Sequence, residues 1–438
     1  MKNINILSLL FLLIYTASFS QEKLSKNDAI NLALENNYSI KIAKNKVKIA
    51  VNNASIYNSG YLPKIAVNAG AAYNNATTEF TSQAGVESEL NNAESKLYNA
   101  SLGLNYTLFD GFGRSYNYKK LKETHNLSGL EAETIIENSI LQIFSIYYQV
   151  AQLTENNLNI LESLNISKQR FERAKYSFDY GQSTKLQLLN AEVDVNNDSI
   201  KYINTQRLLA NAKRDLNLLL GRTVTINFTV DTAVEFNLTF NYKSLLEKAK
   251  SYNIEMQKVS KNIELSNFDI KINKANLYPS LSLNSSYGFN KSDNDATFTF
   301  AEQLSKGINA GISLNWNLFD GGSTKTRVQN AKIVADNLQV QKDQVENELE
   351  RTIANALEIY NNALFILTAE EKNVETNKRN FSRTEEQFKL GQITTIEFRQ
   401  AQINLLNAQS NLNQAKYDAK NAELKLLQLT GELLNIEF

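Results

Sequence analysis

Two similar octapeptides decide how this sequence is read. Residues 104–111 are LNYTLFDG and residues 314–321 are LNWNLFDG, a shift of 210 positions from residue 104 to residue 314. Two pairs of glycines keep the same shift, Gly181 with Gly391 and Gly221 with Gly431. One shift shared by separate landmarks indicates a tandem duplication, so each half of the chain is expected to repeat the same order of elements.

The duplication predicts a simple organisation. We expect a first structural repeat at residues 21–221, a linker at residues 222–240, a second repeat at residues 241–431 and a short tail at residues 432–438. Each repeat reads as a helical stretch that ends at a proline, then two strands, a long helix, a glycine turn and a second helix.

The first 20 residues have the features of a signal peptide. Lys2 supplies positive charge, residues 4–15 are mostly apolar, and Ser18 to Ser20 offers the small residues that a signal peptidase reads, so we expect cleavage before Gln21. The alternative is a membrane anchor, but the apolar run is shorter than the ~20 residues that a helical span needs. The sequence therefore predicts an exported protein.

The composition excludes several functions. Lys plus Arg and Asp plus Glu both total 46, so the chain lacks the excess basic charge of nucleic-acid-binding proteins and no nucleic-acid partner is expected. There is no cysteine, which excludes disulfides and thiolate chemistry. We find no P-loop, zinc-protease or hydrolase motif. His125 is the single histidine and Met256 the single methionine of the mature chain, so we predict no enzyme activity, metal or cofactor.

Four segments alternate apolar with small polar side chains, as strands with one apolar and one wet face do. They lie at residues 65–74, 101–108, 281–289 and 308–318. Each is about ten residues long, the length of a tilted transmembrane strand. A half-buried sheet in a soluble protein would alternate in the same way, but the small polar second face and the export signal favour a membrane sheet beside a wet lumen.

Four strands cannot close a barrel. Open sheet edges in hydrocarbon leave backbone groups unpaired, at a cost of several kcal/mol each, so the edges must be shared with other subunits. Three copies would supply twelve strands, although the pattern itself does not determine the number three. Five aromatic residues are candidates for the membrane interface, although core packing would use them equally well: Tyr73, Tyr106, Tyr287, Phe289 and Trp316.

Helices are expected on both sides of each strand pair. Shorter ones should run from Leu24 to about Asn58 and from Tyr242 to about Leu277, and long ones from about Arg114 to Phe178 and from Lys325 to Phe388. About 65 residues at 1.5 Å per residue give a helix of roughly 100 Å. Asp110 and Asp320, where strand passes into helix, are expected to act as helix caps or turn residues.

Apolar residues recur at intervals of seven along both long helices, which indicates coiled-coil packing. The first series is Ile143, Val150, Leu164, Phe171 and Phe178, with a second seam at Ile146, Leu153 and Ile160. The second series is Ile353, Tyr360, Leu367, Val374, Phe381 and Phe388. A coiled-coil adaptor or structural protein would explain the helices but not the strands, and a general diffusion porin would explain the strands but not the helices.

In this order, and present twice, these features resemble the TolC-like outer-membrane efflux protein family over nearly the whole mature chain. The motifs that carry the resemblance are Ala33–Asn37, Leu62-Pro63, Tyr278-Pro279, the two Leu-Phe-Asp-Gly sequences and Gly181–Glu192. The resemblance implies a mainly α fold with a transmembrane β-barrel portion. It further implies a homotrimer whose twelve-stranded barrel lies in outer-membrane lipid and continues as an α-helical tunnel in the periplasm.

The same resemblance implies a function and partners. The chain would be a passive duct of a tripartite efflux or type I secretion system, exporting small molecules or proteins. It would dock to a periplasmic adaptor of the membrane fusion class and act with an inner-membrane pump of the RND, ABC or MFS type. The alternatives are the periplasmic adaptor or structural protein and the general diffusion porin.

The resemblance also assigns candidate site residues. The two turns would form the periplasmic tip and contact the adaptor, through Gly181, Gln182, Thr184, Gly391, Gln392 and Thr394. Acidic residues after the second turn ring the closed tip in some relatives, and Glu397 is the matching position here. Gln400 stands where those relatives carry a second acid, which weakens the expected gate, and Arg399 is expected to offset the remaining charge further. The alternative for Glu397 is an ordinary solvated helix residue.

Overall fold

A computed structural model describes residues 22–236, 239–294 and 300–435. The predicted signal peptide at residues 1–20 lies outside the described residues. Two 3-10 turns, Ile56–Asn58 and Leu433–Asn435, accompany the main elements. In chain order these elements are β1 (Glu22–Leu24), α1 (Lys26–Asn36), α2 (Tyr38–Asn53), β2 (Lys64–Thr81), β3 (Glu87–Asp110), α3 (Gly113–Asp179), α4 (Lys185–Leu219), β4 (Phe228–Val230), α5 (Tyr242–Tyr252), α6 (Ile254–Ala275), β5 (Ser280–Asn294), β6 (Glu302–Asn315), α7 (Ser323–Lys389) and α8 (Thr395–Leu429).

The fold is mainly helical and repeats itself. The long helices α3 and α7 have 67 residues each, and α4 and α8 have 35 each. Helix pair, strand pair, long helix and second helix follow in the same order in both halves, as the repeated motifs predicted.

The chain forms two compact units that do not coincide with the repeats. The helical unit comprises the described residues within 1–45, 130–257 and 344–438, and the sheet unit comprises those within 46–129 and 258–343. Each unit therefore takes segments from both halves of the chain. The repeats are therefore units of the sequence, whereas each compact unit of the structure is built from parts of both repeats.

In the sheet unit four antiparallel strands lie in the order β2-β3-β5-β6. One row across the sheet joins Val67, Leu102, Tyr287 and Ile308, each directly opposite the next. The neighbouring row joins Asn68, Ser101, Gly288 and Gly307. Because successive side chains of a strand point to opposite faces, one face is apolar and the other is small and polar around these rows, as the alternation predicted.

The strands differ in length from the prediction of about ten residues. They have 18, 24, 15 and 14 residues in chain order. The residues between the two predicted strands extend β2 and β3 as a paired hairpin that closes at Ser82 and Val86, where the Ser82 N–H donates to the Val86 carbonyl at 2.8 Å. The strands continue there because the backbone N–H and C=O groups form hydrogen bonds even where the side chains are polar and do not alternate.

The predicted end of the last strand was also wrong, because Trp316 and Leu318 lie beyond β6. Ser280 pairs with Asn315, so the residue opposite Trp316 in a continued ladder would be Pro279. Proline has no N–H to donate, and the ladder stops. The Trp316 indole N–H donates instead to the Leu277 carbonyl at 3.2 Å.

The two shorter helical stretches were predicted as continuous, and each is broken by an asparagine. Asn37 separates α1 from α2 with φ −58° and ψ 128°, and Asn253 separates α5 from α6 with φ −62° and ψ 127°. The Asn37 side chain accepts from the Ile40 N–H at 3.1 Å and donates to the Leu219 carbonyl at 2.7 Å. The break is therefore stabilised by a cap for the new helix and a bond to the end of α4.

Each of these breaks lies against a glycine that ends another helix. A Cβ on Gly221 would lie 2.3 Å from the Asn36 carbonyl oxygen, and one on Gly431 would lie 2.7 Å from that of Tyr252. Both glycines also have φ near +70° (66° and 70°), which favours glycine. This second pair of glycine landmarks thus marks places where two backbones touch.

The core of the helical unit is built around aromatic residues of α3. Tyr147 and Tyr148 are both fully buried, and Tyr148 stacks on Tyr417 with ring centroids 5.6 Å apart. The Tyr147 hydroxyl donates to the Leu24 carbonyl and accepts from the Asp231 N–H, both at 2.9 Å. It thereby joins β1 to the segment after β4. The strands β1 and β4 themselves form a parallel pair that the sequence did not predict.

The heptad side chains become less buried along each long helix, in the direction of the turn that follows it. Ile143, Val150 and Leu164 are buried in α3, and Ile353 and Tyr360 in α7. Phe171, Phe178, Phe381 and Phe388 are only partly covered. In one copy of the chain, coiled-coil packing is therefore complete in the first part of each series and incomplete near the turns. Among the described helices, none has an apolar stretch long enough to cross a membrane.

The two adjacent tyrosines allow a direct test of the Tyr147 bond. Tyr147→Phe leaves the Leu24 carbonyl and the Asp231 N–H without this partner, so we expect a loss of about 2–3 kcal/mol in the free energy of unfolding. The Tyr148 hydroxyl is buried and has no hydrogen-bond partner among the described residues. Tyr148→Phe should therefore be neutral or stabilising. Denaturant unfolding in detergent measures both, and equal losses would contradict the assignment.

Candidate functional site

The predicted tip turns have the same geometry in both repeats. Gly181 and Gly391 each have φ +70°. The Gly181 N–H donates to the Phe178 carbonyl at 2.9 Å and the Gln182 N–H to the Ser177 carbonyl at 2.7 Å, which is the Schellman pattern of helix ends. Gly391 and Gln392 make the equivalent bonds at 3.1 and 2.9 Å. The glycines are needed because the chain reverses through a left-handed residue.

Both second helices of these hairpins begin at a threonine cap. The Thr184 hydroxyl accepts from the Gln187 N–H at 3.3 Å, and the Thr394 hydroxyl accepts from the Glu397 N–H at 3.2 Å. In the second repeat the Glu397 carboxylate returns a bond to the Thr394 N–H at 2.8 Å and completes a capping box. These hydrogen bonds lower the pKa of Glu397 from its ordinary value of 4.5, so its exposed side chain is charged at neutral pH.

The other two residues near the predicted gate point to different partners. Gln400 is exposed and its side-chain amide donates to Asn404 at 2.8 Å on the same helix. Arg399, expected to offset the Glu397 charge, instead faces α4: its two terminal nitrogens each donate to a carboxylate oxygen of Asp198 at 2.7 Å. The side chains of Arg399 and Gln400, which follow Glu397 in the sequence, are therefore bonded to other groups.

Arg399 belongs to a buried polar cluster that sequence reasoning missed. The cluster joins three helices: Ser167 and Arg170 of α3, Asp194 and Asp198 of α4, and Arg399 and Gln402 of α8. The Ser167 hydroxyl donates to Asp198 at 2.6 Å, and Gln402 donates to the Ser163 carbonyl at 2.7 Å. Ser167 is fully buried, and Asp198 is 4% exposed.

The cluster holds Asp198 as a carboxylate. Burial by itself would raise the pKa of Asp198, but the hydrogen bonds from Arg399 and Ser167 outweigh it and leave the pKa below its ordinary value. The stabilisation that Asp198 provides is therefore present at neutral pH and lost as the pH falls through its lowered pKa. Arg170 pairs with Asp194, while its Nε and Nη1 atoms have no acceptor among the described residues.

One signal in the sequence could have revealed this cluster. The second heptad seam runs Ile146, Leu153 and Ile160, and the next position seven residues on is Ser167. A serine in a buried seam needs a hydrogen-bond partner. That partner is Asp198, which is distant in the chain and could not be identified from spacing.

Aromatic contacts join the two hairpins next to the turns. Phe388 of α7 stacks on Phe398 of α8, with ring centroids 4.6 Å apart. Arg173 of α3 lies over the Phe388 ring at 5.2 Å and donates to the Lys389 carbonyl at 3.2 Å. The C-terminal parts of α3 and α7 are therefore in contact beside the predicted tip residues.

The candidate interface aromatics all lie in the sheet unit. Tyr73 and Tyr287 are exposed on their strands, whereas Tyr106 and Phe289 are partly covered. Trp316 is 54% exposed just after β6. The Lys306 ammonium lies 5.7 Å from the Phe289 ring centroid. Their role at a membrane interface stays a prediction.

A family model described as "Outer membrane efflux protein" matches the chain twice, over residues 29–222 and 245–432. The chain belongs to the outer membrane efflux protein family. It is accordingly an outer-membrane channel protein, which favours this function over the porin and adaptor alternatives. The family match also covers both halves that the repeated motifs defined.

Known relatives of this efflux protein agree with that assignment. It is 23% identical to the outer membrane protein TolC of Vibrio cholerae over 304 residues, which is 67% of this chain and 68% of TolC. It is 22% identical to the alkaline protease secretion protein AprF of Pseudomonas aeruginosa over 416 residues, which is 93% of this chain and 84% of AprF.

Solved structures show the same fold. The CmeC outer membrane channel of Campylobacter jejuni matches with a TM-score of 0.77 at 18% identity, covering 93% of this chain and 86% of CmeC. VceC of Vibrio cholerae matches with a TM-score of 0.72 at 16% identity, covering 93% and 96% of the two chains.

The polar cluster can be tested by removing one charge. Asp198→Asn keeps the shape of the side chain but leaves Arg399 with only the more distant Asp194 carboxylate, 3.4 Å from its Nε, so we expect a loss of about 3 kcal/mol in the free energy of unfolding. Glu375→Gln is the matched control, because that ion pair with Arg379 is exposed and should contribute less than about 1 kcal/mol. Unfolding in denaturant measures both, and similar small losses would show that the cluster is not a stabilising element.

The charge of Glu397 can be removed without removing the cap, because glutamine also completes a capping box. We expect Glu397→Gln to reduce blockade by multivalent cations in planar-bilayer recordings at pH 7. Glu192→Gln, an exposed acid further along α4, is the control and should leave blockade unchanged. Unchanged blockade in Glu397→Gln would dismiss the gate prediction.

Proposed function

We propose that three copies of this efflux protein assemble into one continuous passive duct. Their sheets would close into a twelve-stranded barrel in the outer membrane, and their long helices would form a tunnel in the periplasm. The hairpin turns would dock to a periplasmic adaptor of the membrane fusion class, and an inner-membrane pump of the RND, ABC or MFS type would supply the energy.

The two outer strands of the sheet carry this proposal. Among the described strands, β2 pairs only with β3 and β6 pairs only with β5, so each has one unpaired edge. Ile65, Val67 and Ile308 are 67%, 73% and 74% exposed in a single copy. Such a sheet loses backbone hydrogen bonds in lipid unless both edges pair with other strands. The alternating directions let β6 of one copy run antiparallel to β2 of the next.

An apolar stripe on α4 supports assembly of the helical part. Leu186, Val193 and Ile200 recur at intervals of seven and are 66%, 55% and 59% exposed. Heptad residues stabilise a coiled coil only when a second helix covers them. A neighbouring copy of the chain would provide that helix.

The turns support docking to a partner helix. Beside the first turn an open groove on α3 is lined by Lys168, Arg173, Tyr176 and Tyr180, among other residues. Tyr176 and Tyr180 are 61% and 79% exposed. Exposed tyrosines next to basic residues are typical of protein-binding surfaces. The candidate contact Gln182 is one of the lining residues, and Gly181 and Thr184 lie beside it in the chain.

The cargo is proposed as a class. The relatives include the protease secretion protein AprF and the toluene efflux pump protein TtgC of Pseudomonas putida, at 22% identity each. We infer an exported cargo of small molecules or proteins that passes without chemical change. The polar sheet face with Asn68, Ser101 and Gly288 would give it a wet wall.

Assembly through the strand edges predicts crosslinks between copies. The chain has no cysteine, so any disulfide must come from introduced residues. Val67→Cys on β2 is combined in turn with Ile308→Cys, Ala310→Cys or Ile312→Cys on β6. We expect at least one combination to give covalent dimers and trimers on non-reducing gels of oxidised membranes.

The control places both cysteines within one copy. Val67 lies directly opposite Leu102, so Val67→Cys with Leu102→Cys should give an intrachain disulfide and monomers only. If all β2–β6 combinations remain monomeric while this control oxidises, the shared barrel is wrong.

A further inference from the structure

The charges of the sheet unit are separated along its strands. The hairpin segment at residues 75–94, which extends beyond the pairing with β5, holds four glutamates and no basic residue: Glu79, Glu87, Glu89 and Glu94. The opposite end of the sheet borders four segments, at residues 56–64, 110–122, 269–279 and 316–332. We name these four segments the basal collar.

The basal collar is strongly basic. Its ten cationic residues are Lys64, Arg114, Lys119, Lys120, Lys122, Lys271, Lys274, Lys325, Arg327 and Lys332. Its acidic residues are Asp110, Asp269 and Asp320, so ten minus three leaves a net charge of +7 in each copy. Eight of the ten cations are exposed, with only Arg114 and Lys120 partly covered. The neutral total of the chain conceals this concentration of charge.

The three acids of the collar already have partners. Asp110 accepts from the Arg114 backbone N–H at 2.9 Å and from its Nε at 3.1 Å. Asp320 accepts from the Thr324 N–H at 2.8 Å and from its hydroxyl at 2.6 Å. Asp269 pairs with Lys120 at 2.5 Å. These carboxylates therefore act as caps or single-pair partners and do not neutralise the exposed lysines.

Several collar cations lie over aromatic rings. The Lys122 ammonium is 4.4 Å from the Tyr118 ring centroid, and the Lys271 ammonium is 5.7 Å from that of Tyr116. The Arg114 guanidinium lies 5.5 Å from the Tyr61 ring. A cation over a ring keeps its charge and most of its N–H donors, so it can still bind an anion. Rings combined with long cationic side chains suit the headgroup depth of a membrane.

We propose that the basal collar binds the phosphates of anionic glycerophospholipids in the periplasmic leaflet of the outer membrane. The inference rests on the proposed barrel, because it requires the strand ends to lie at the membrane surface. Assembly strengthens the argument, since each further copy brings another collar of the same sign. Because the collar acids are engaged, the compensating negative charge must come from outside these segments, and a lipid surface supplies it at the required depth.

The single tryptophan of the chain reports on this site directly. Trp316 lies in the collar and is 54% exposed. The full-length protein is reconstituted in phosphatidylcholine vesicles that contain phosphatidylglycerol or phosphatidylcholine brominated close to the headgroup, and quenching of Trp316 is followed. We expect half-maximal quenching at an about fivefold lower fraction of brominated phosphatidylglycerol, and loss of that preference in 0.5 M NaCl, as for basic residues near an anionic surface.

Matched variants assign the preference to the collar. Lys119→Gln, Lys122→Gln and Lys325→Gln together should bring the ratio close to one. The control variant changes three exposed lysines of the helical unit, Lys175→Gln, Lys185→Gln and Lys201→Gln, and should keep the ratio of the unchanged protein.

The outcomes separate this inference from the proposed function. Equal quenching by both lipids in the unchanged protein would overturn the collar assignment and leave the barrel intact. No quenching by either lipid, in protein that still forms the β2–β6 crosslink, would place the strand ends away from the bilayer and overturn the collar assignment together with the membrane placement of the barrel. Inorganic phosphate at matched ionic strength should compete no better than chloride, and selective competition would assign the collar to free phosphate.

Discussion

Backbone hydrogen bonding at the two edges of the sheet is the constraint on which the rest depends. Each outer strand has a neighbour on one side only, and its apolar side chains are open in a single copy. In water such an edge is an aggregation hazard, and in lipid it costs several kcal/mol for each unpaired group. Closing that edge with further copies would also bring their basic collars together.

The helical unit is stabilised by polar contacts at points where apolar packing alone would leave the arrangement loose. Tyr147 bonds two chain segments at once, and the asparagine breaks at Asn37 and Asn253 join each shorter helix pair to the end of another helix. Glycines at the matching helix ends let the backbones approach. Because both halves repeat this device, the duplication conserves a way of packing as well as an order of elements.

Near the turns the helical unit changes character. The heptad residues become partly exposed and the buried cluster of Asp198, Arg399 and Ser167 takes over as a link between helices. Removing one partner of such a buried ion pair is destabilising, because the other charge is left buried without a partner. Glu397, two positions before Arg399 on the same helix but exposed, is left as a charged cap residue beside the second turn. Stability near the turns therefore depends on buried residues, whereas the gate role predicted for Glu397 would fall to an exposed one.

The sequence by itself determined the elements whose causes are local. The strand alternation, the heptads, the repeated Leu-Phe-Asp-Gly motifs and the turn glycines predicted the fold class, the repeat and the family, because side-chain period and left-handed glycine are properties of short segments. Asp110 and Asp320 were likewise predicted as caps and are caps. Only the tertiary structure decided the breaks at Asn37 and Asn253, the β1–β4 pair, the end of β6 opposite Pro279, and the turn of Arg399 away from Glu397 towards Asp198. Each of these depends on a partner that is distant in the chain, and spacing within a segment carries no information about such a partner.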